Sequence, residues 1–149
     1  MSRPVHIVVG SVMGTALNVA TEVAKVLETL GHNVRISPAF DGNNLYQTED
    51  EVLLICTSNT GMGDLPENIL PLYALLTQTP PNIAGRHYGL INLGDSSYPN
   101  FAQAGTTLDE VMADIGATRV GTPCVLDAIY VDEPEEEACD WAKKWAQLL

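Results

Sequence analysis

Short apolar runs alternate with stretches of helical spacing along the whole chain, and that alternation limits the folds open to it. Val5-His6-Ile7-Val8-Val9 ends at Gly10 and reads as a first strand. From Thr15 to Leu30, Ala16, Ala20, Val23, Ala24, Leu27 and Leu30 recur at helical spacing, and Gly31 is a natural stop. Asn33 to Ser37 reads as a second strand. Val34 and Ile36 fall on one face and Arg35 on the other, which suits an edge position. Pro38 to Glu51 is polar and mixed, with one short helix expected around Leu45.

Val52-Leu53-Leu54-Ile55-Cys56 is apolar throughout, as a parallel strand covered on both faces should be. A helix is expected from Glu67 to Gln78, with Ile69, Leu70, Tyr73 and Leu76 inward. Pro66 suits its start, and Pro71 delays the regular helix. His87 to Leu93 is a fourth strand, Thr107 to Ile115 a short helix, and Arg119-Val120 with Pro123 to Leu126 a broken fifth strand. Glu135 to Leu149 closes the chain as a helix with Ala138, Trp141, Ala142, Trp145 and Leu148 inward. No repeat or linker interrupts the pattern, so residues 1–149 are expected to form a single domain. Strands alternating with helices imply an α/β fold, a mostly parallel sheet with helices on both faces.

Hydrophobic residues make up 46% of the 149, enough for a packed core. The net charge of −12 argues against nucleic acid or an anionic membrane surface as partner. No apolar run approaches the roughly 20 residues that span a bilayer, and the start has no signal-peptide layout. The three cysteines, Cys56, Cys124 and Cys139, lack zinc spacing and read as free thiols in a reducing, cytoplasmic setting. No metal site is expected. His6, His32 and His87 are dispersed, and core or surface roles outweigh ligation.

In such sheets ligands bind beyond the carboxyl ends of the strands. Three loops there stand out. Gly10-Ser11-Val12-Met13-Gly14-Thr15-Ala16 opens a helix whose free N–H groups favour an anion, with Ser11 and Thr15 adding hydroxyls. It contains no Lys or Arg, so it is not a GxxxxGK[ST] loop. The plainer alternative is an N-cap. Thr57 to Pro66 is rich in glycine and side-chain donors, suits the edge of a polar heterocycle, and is long for an ordinary βα turn. Leu93-Gly94-Asp95-Ser96-Ser97-Tyr98-Pro99-Asn100-Phe101 carries two aromatics in a polar loop. They are either a wall for a flat ligand or a plug beneath the loop. Asp95 has no second carboxylate, His or Cys placed near it by sequence, so no catalytic residue is expected.

These three loops, in this order and spacing, resemble the flavodoxin family and the FMN domains of the diflavin reductases. The resemblance covers essentially the whole chain, in the short-chain form without an insertion in strand five. It implies a three-layer sandwich on a five-stranded parallel sheet of order 2-1-3-4-5. It implies FMN as cofactor, its phosphate on Ser11, Val12, Met13, Gly14, Thr15 and Ala16. Ser58, Asn59, Thr60, Gly61 and Gly63 would line the second flavin loop, and Leu93, Gly94, Asp95, Tyr98, Asn100 and Phe101 the third, with Tyr98 stacked on the ring. Gly61 matches the glycine whose carbonyl turns toward flavin N5 on one-electron reduction, a swap that glycine makes at little cost. Two positions depart from the family pattern. Met13 replaces a frequent Thr, and Thr60 a frequent aromatic, which leaves Met62, Leu65 or nothing for the second flavin face.

The resemblance implies an electron carrier, not an enzyme, moving low-potential electrons one at a time. Its expected partners are basic redox proteins: an NADPH-dependent flavodoxin/ferredoxin reductase and an acceptor enzyme, met as a monomer. The acidic run Asp132, Glu133, Glu135, Glu136, Glu137 and Asp140 is either a docking face or a solvated helix start. Competing functions are an FMN-dependent quinone reductase and a degenerate module without flavin. A phosphoacceptor response regulator is excluded, because Gly10-Ser11 and Thr57-Ser58 stand where its acidic residues belong.

Overall fold

The computed structural model describes residues 3–11, 14–59, 63–98 and 100–149. In chain order they form β1 (Val5–Gly10), α1 (Thr15–Thr29), β2 (Val34–Ser37), β3 (Val52–Ser58), a 3-10 turn (Glu67–Ile69) running into α2 (Leu70–Gln78), β4 (His87–Gly94), α3 (Gln103–Asp114), β5 (Thr118–Arg119), β6 (Cys124–Asp127) and α4 (Pro134–Ala146). The strands are parallel, in the order β2-β1-β3-β4-β5, and β6 also pairs with β4. β5 and β6 are thus two pieces of one broken fifth strand, as the sequence pattern predicts.

Strand residues alternate between two cores. Val5, Ile7, Val9, Val52, Leu54, Cys56, Ile91 and Leu93 face α1 and α4. Val8, Leu53, Ile55, Tyr88 and Leu90 face α2 and α3. This is the expected three-layer α/β sandwich. No helix among the described residues is long and apolar enough to cross a membrane.

Four expectations need correction. No helix forms around Leu45. Leu45 is buried within an irregular segment whose carbonyls serve long-range donors: Leu45 O accepts His6 Nδ1–H at 2.8 Å and Arg35 at 3.2 Å, and Asn44 O accepts Arg35 at 2.6 Å. α3 begins at Gln103, a turn before the expected Thr107, because groups distant in sequence hold its start. Leu70 and Leu148 are exposed, not inward. The closing helix ends at Ala146, within the span to Leu149 that its pattern suggested.

Candidate functional site

Parallel strands put their carboxyl ends on one rim. The register pairs Gly10 with Thr57, Ser58 with Leu93, and Gly94 with Asp127. The loops after β1, β3 and β4 therefore start side by side, as the sequence order implies.

At the first loop, Gly14 is the residue before α1 and takes a left-handed conformation (φ 86°). The first bond inside the helix runs from the Asn18 N–H to the Gly14 carbonyl at 3.0 Å, so the N–H groups of Thr15, Ala16 and Leu17 precede the ladder. No acidic residue lies in this first turn, and no side chain of the capping residue blocks it. Ser11 Oγ accepts the Gly14 N–H at 2.8 Å, which closes the loop on itself. Thr15 is exposed. The Ala16 side chain is buried, leaving only its backbone for a ligand. Asn68 braces the loop from the 3-10 turn: its Oδ1 accepts the Ser11 N–H at 3.0 Å and its Nδ2 donates to Pro38 O at 3.0 Å.

The second and third loops are stitched together. Ser58 Oγ donates to Gly10 O at 3.4 Å. Asn59 Nδ2 donates to Asn100 O at 3.3 Å, and its Oδ1 accepts the Ala104 N–H at 2.7 Å. A β-carbon on Gly63 would stand 2.6 Å from Asn100 Cβ, so only glycine lets the two loops touch there. Leu93 is buried in the sheet, Gly94 ends β4, and Asp95 folds back to accept the Ser97 N–H at 2.9 Å and the Ser97 hydroxyl at 2.5 Å. The Asp95 carboxylate thus shapes its own turn. Tyr98 is 57% exposed and Phe101 37% exposed, so the Tyr98 ring is no plug beneath the loop. Val12, Met13, Thr60 and Gly61 of the expected set, with Met62 and Pro99, lie outside the described residues.

A fourth loop at this rim went unread in the sequence. The Ala128 N–H donates to Gly94 O at 2.8 Å, and Asp127 Oδ1 accepts the N–H groups of Ser96 and Ile129, each at 3.1 Å. The Ser96 hydroxyl and these amides hold the Asp127 carboxyl below its usual range. The turn presents Ile129, 50% exposed, and Tyr130, 82% exposed. The available signal was an apolar run, Ala128-Ile129-Tyr130-Val131, directly after the last strand.

Charge divides the molecule by pole. The seven Lys and Arg residues are Arg3, Lys25, Arg35, Arg86, Arg119, Lys143 and Lys144. The arginines lie just before or at the starts of strands, and the lysines in the later halves of α1 and α4, which return toward that end. None is on the loop rim. That rim carries Asp64, Asp95, Asp127, Asp132 and Glu133. On α4, repulsion begins at its first turn: a hydrogen bond and like charge from Glu133 raise the Glu136 carboxyl.

An open helix N-terminus free of carboxylates suits a phosphate, and a half-exposed tyrosine on the loop after β4 suits a planar ring. FMN has both parts. Comparison with known proteins agrees. The Flavodoxin family profile matches residues 7–145. A flavodoxin YqcA from Pectobacterium carotovorum is 39% identical over 145 residues, covering 97% of this chain and 96% of that protein. The sulfite reductase [NADPH] flavoprotein alpha-component of Mannheimia succiniciproducens is 35% identical over 121 residues, 79% of this chain and 20% of that protein. A solved structure of a flavodoxin mutant from Pseudomonas aeruginosa superposes with a TM-score of 0.89 at 38% identity, covering 98% of each chain. This chain belongs to the flavodoxin family, whose cofactor is FMN.

Proposed function

We propose that residues 1–149 act as one flavin-binding unit that carries electrons one at a time between a reductase and an acceptor protein, without a substrate reaction of its own. The observation that carries this reading is the convergence of three loops on one rim, with an uncapped helix start on the first and an exposed tyrosine on the third. Bound FMN supplies the redox chemistry. The protein's part is to hold and bias it. The N–H groups at the start of α1, with the Ser11 and Thr15 hydroxyls, hold the phosphate through neutral donors. Tyr98 covers one face of the ring, and Gly94, Asp95 and Phe101 border it. A net charge of −12 opposes further negative charge at the site, which favours a low potential for full reduction.

The partners in this reading are basic redox proteins, an NADPH-dependent reductase and an acceptor enzyme. The cation-free rim supports that choice, as does similarity to a protein named an NADPH sulfite reductase flavoprotein. The chain meets them as a monomer. A cytoplasmic setting belongs to the same reading, supported by three free cysteines.

The test is stepwise reduction of the purified protein followed by absorbance. Flavin bands that bleach in two resolved one-electron stages support the carrier. A single two-electron stage counts against one-at-a-time transfer, and a colourless protein that takes up no added FMN sinks the reading.

A further inference from the structure

The loop that carries Tyr98 and Phe101 returns to α3 through two left-handed residues that are not glycine. Asn100 and Ala102 both have φ of 58°. Such a backbone is unfavourable for alanine, so bonds elsewhere must hold it. Side-chain bonds do so, the Thr106 hydroxyl to Ala102 O at 3.2 Å among them. Asn92 Nδ2 donates to Ala102 O at 2.8 Å. Asn59 Nδ2 donates to Asn100 O at 3.3 Å, and Asn59 Oδ1 accepts the Ala104 N–H at 2.7 Å. Ala102, the residue before α3, has no side chain able to cap it. The cap comes instead from a loop 45 residues upstream. The Asn59 backbone is also tied, its N–H donating to Leu93 O at 3.2 Å.

Family resemblance would make Asn59 a flavin contact. Here both polar ends of its carboxamide are occupied, one by the neighbouring loop and one by the first turn of α3. We propose that Asn59 is a positioning residue: it clamps the Tyr98 loop to the loop after β3, so that the flavin affinity supplied by Tyr98 depends on it. This rests on the FMN reading above, and it assigns Asn59 an action through another residue.

The test is a double-mutant cycle on FMN binding, read by fluorescence titration of the apoprotein with Asn59→Ala, Tyr98→Ala and the pair. Asn59→Ala should weaken binding about tenfold, and the pair should lose far less than the product of the two single losses. Multiplied losses, or an Asn59→Ala variant with unchanged affinity, overturn the proposal. A second readout needs no flavin. In the apoprotein, Asn59→Ala should speed hydrogen exchange at the Ala104 amide while β3 stays protected, and Asn59→Asp, which keeps the acceptor, should restore slow exchange. Unaltered exchange at Ala104 overturns the clamp by itself. A wild-type apoprotein that binds no FMN removes the flavin reading alone, and the exchange result then decides whether Asn59 clamps the loop.

Discussion

Gly105 lies inside α3, where alanine would ordinarily favour the helix. A β-carbon there would stand 2.3 Å from Asn92 Cγ. Asn92 is buried between β4 and α3 and cannot yield without losing its bond to Ala102 O. Gly105→Ala should therefore cost about 2 kcal/mol of stability, read as a lower denaturation midpoint, against the gain that helix propensity alone would give. Tyr98 poses the opposite case. Its ring is more than half exposed, so Tyr98→Ala should leave the apoprotein as stable as the wild type. FMN binding should weaken by about 1–3 kcal/mol, measured by fluorescence titration; unchanged affinity would leave Tyr98 without a role in the site.

Between β2 and β3 the chain forms no regular element, yet it is pinned by charge. Arg35 grips Glu51 with two bonds, Nε to Oε2 at 2.9 Å and a terminal nitrogen to Oε1 at 2.8 Å, and the Gln47 N–H adds a third at 2.7 Å. Burial pushes the Glu51 carboxyl up, but the Arg35 and Gln47 bonds outweigh it and the net shift is downward. Beside this pair His6 is fully buried, its Nδ1–H given to Leu45 O and its Nε2 accepting the Ser37 hydroxyl at 2.6 Å. Burial lowers its proton affinity. Both folded-state values lie below the unfolded ones, so both contributions are present at neutral pH and fade on acidification. His6 should act first, as the pH falls below its unfolded value of 6.5, and Glu51 further down, below 4.5. Urea denaturation from pH 7.5 down to about 3 should show this two-part decline, and His6→Asn should flatten its upper part. Glu51→Gln should cost about 3 kcal/mol at neutral pH, because it leaves Arg35 without its anion.

The same segment marks where sequence reading stops. Periodicity made the strands and helices legible, since each buries a face that repeats at its own period. Leu45 looked helical because its burial has no local pattern; it follows from bonds to His6 and Arg35, on β1 and β2. α3 starts early for a similar reason, its cap lying in another loop. At the site, loop order is readable from the sequence, but the N-cap alternative at α1 and the wall-or-plug alternative at Tyr98 are decided only by the structure. The turn after β6 was not readable, because so short an apolar run carries no period to show that Ile129 and Tyr130 face solvent while Val131 packs against the core.

The whole molecule is electrically polar, with all its lysines and arginines gathered toward the end opposite the loop rim. A basic partner should therefore meet the rim first. Electron transfer to a basic acceptor such as cytochrome c should slow steeply between low and physiological ionic strength, and a rate indifferent to salt would count against steering. Tyr130→Ser should slow that transfer several-fold while leaving FMN affinity intact, since the ring is 82% exposed on a turn hydrogen-bonded to the third loop. The broken fifth strand has a different consequence. Gly121 and Thr122 are exposed in the gap between β5 and β6, and each half of the strand is anchored separately to β4. A flexible graft of roughly ten residues there should cost about 1 kcal/mol in closure entropy. The seam is thus a port for fusion, where a donor domain could be tethered so that delivery of electrons no longer depends on diffusion.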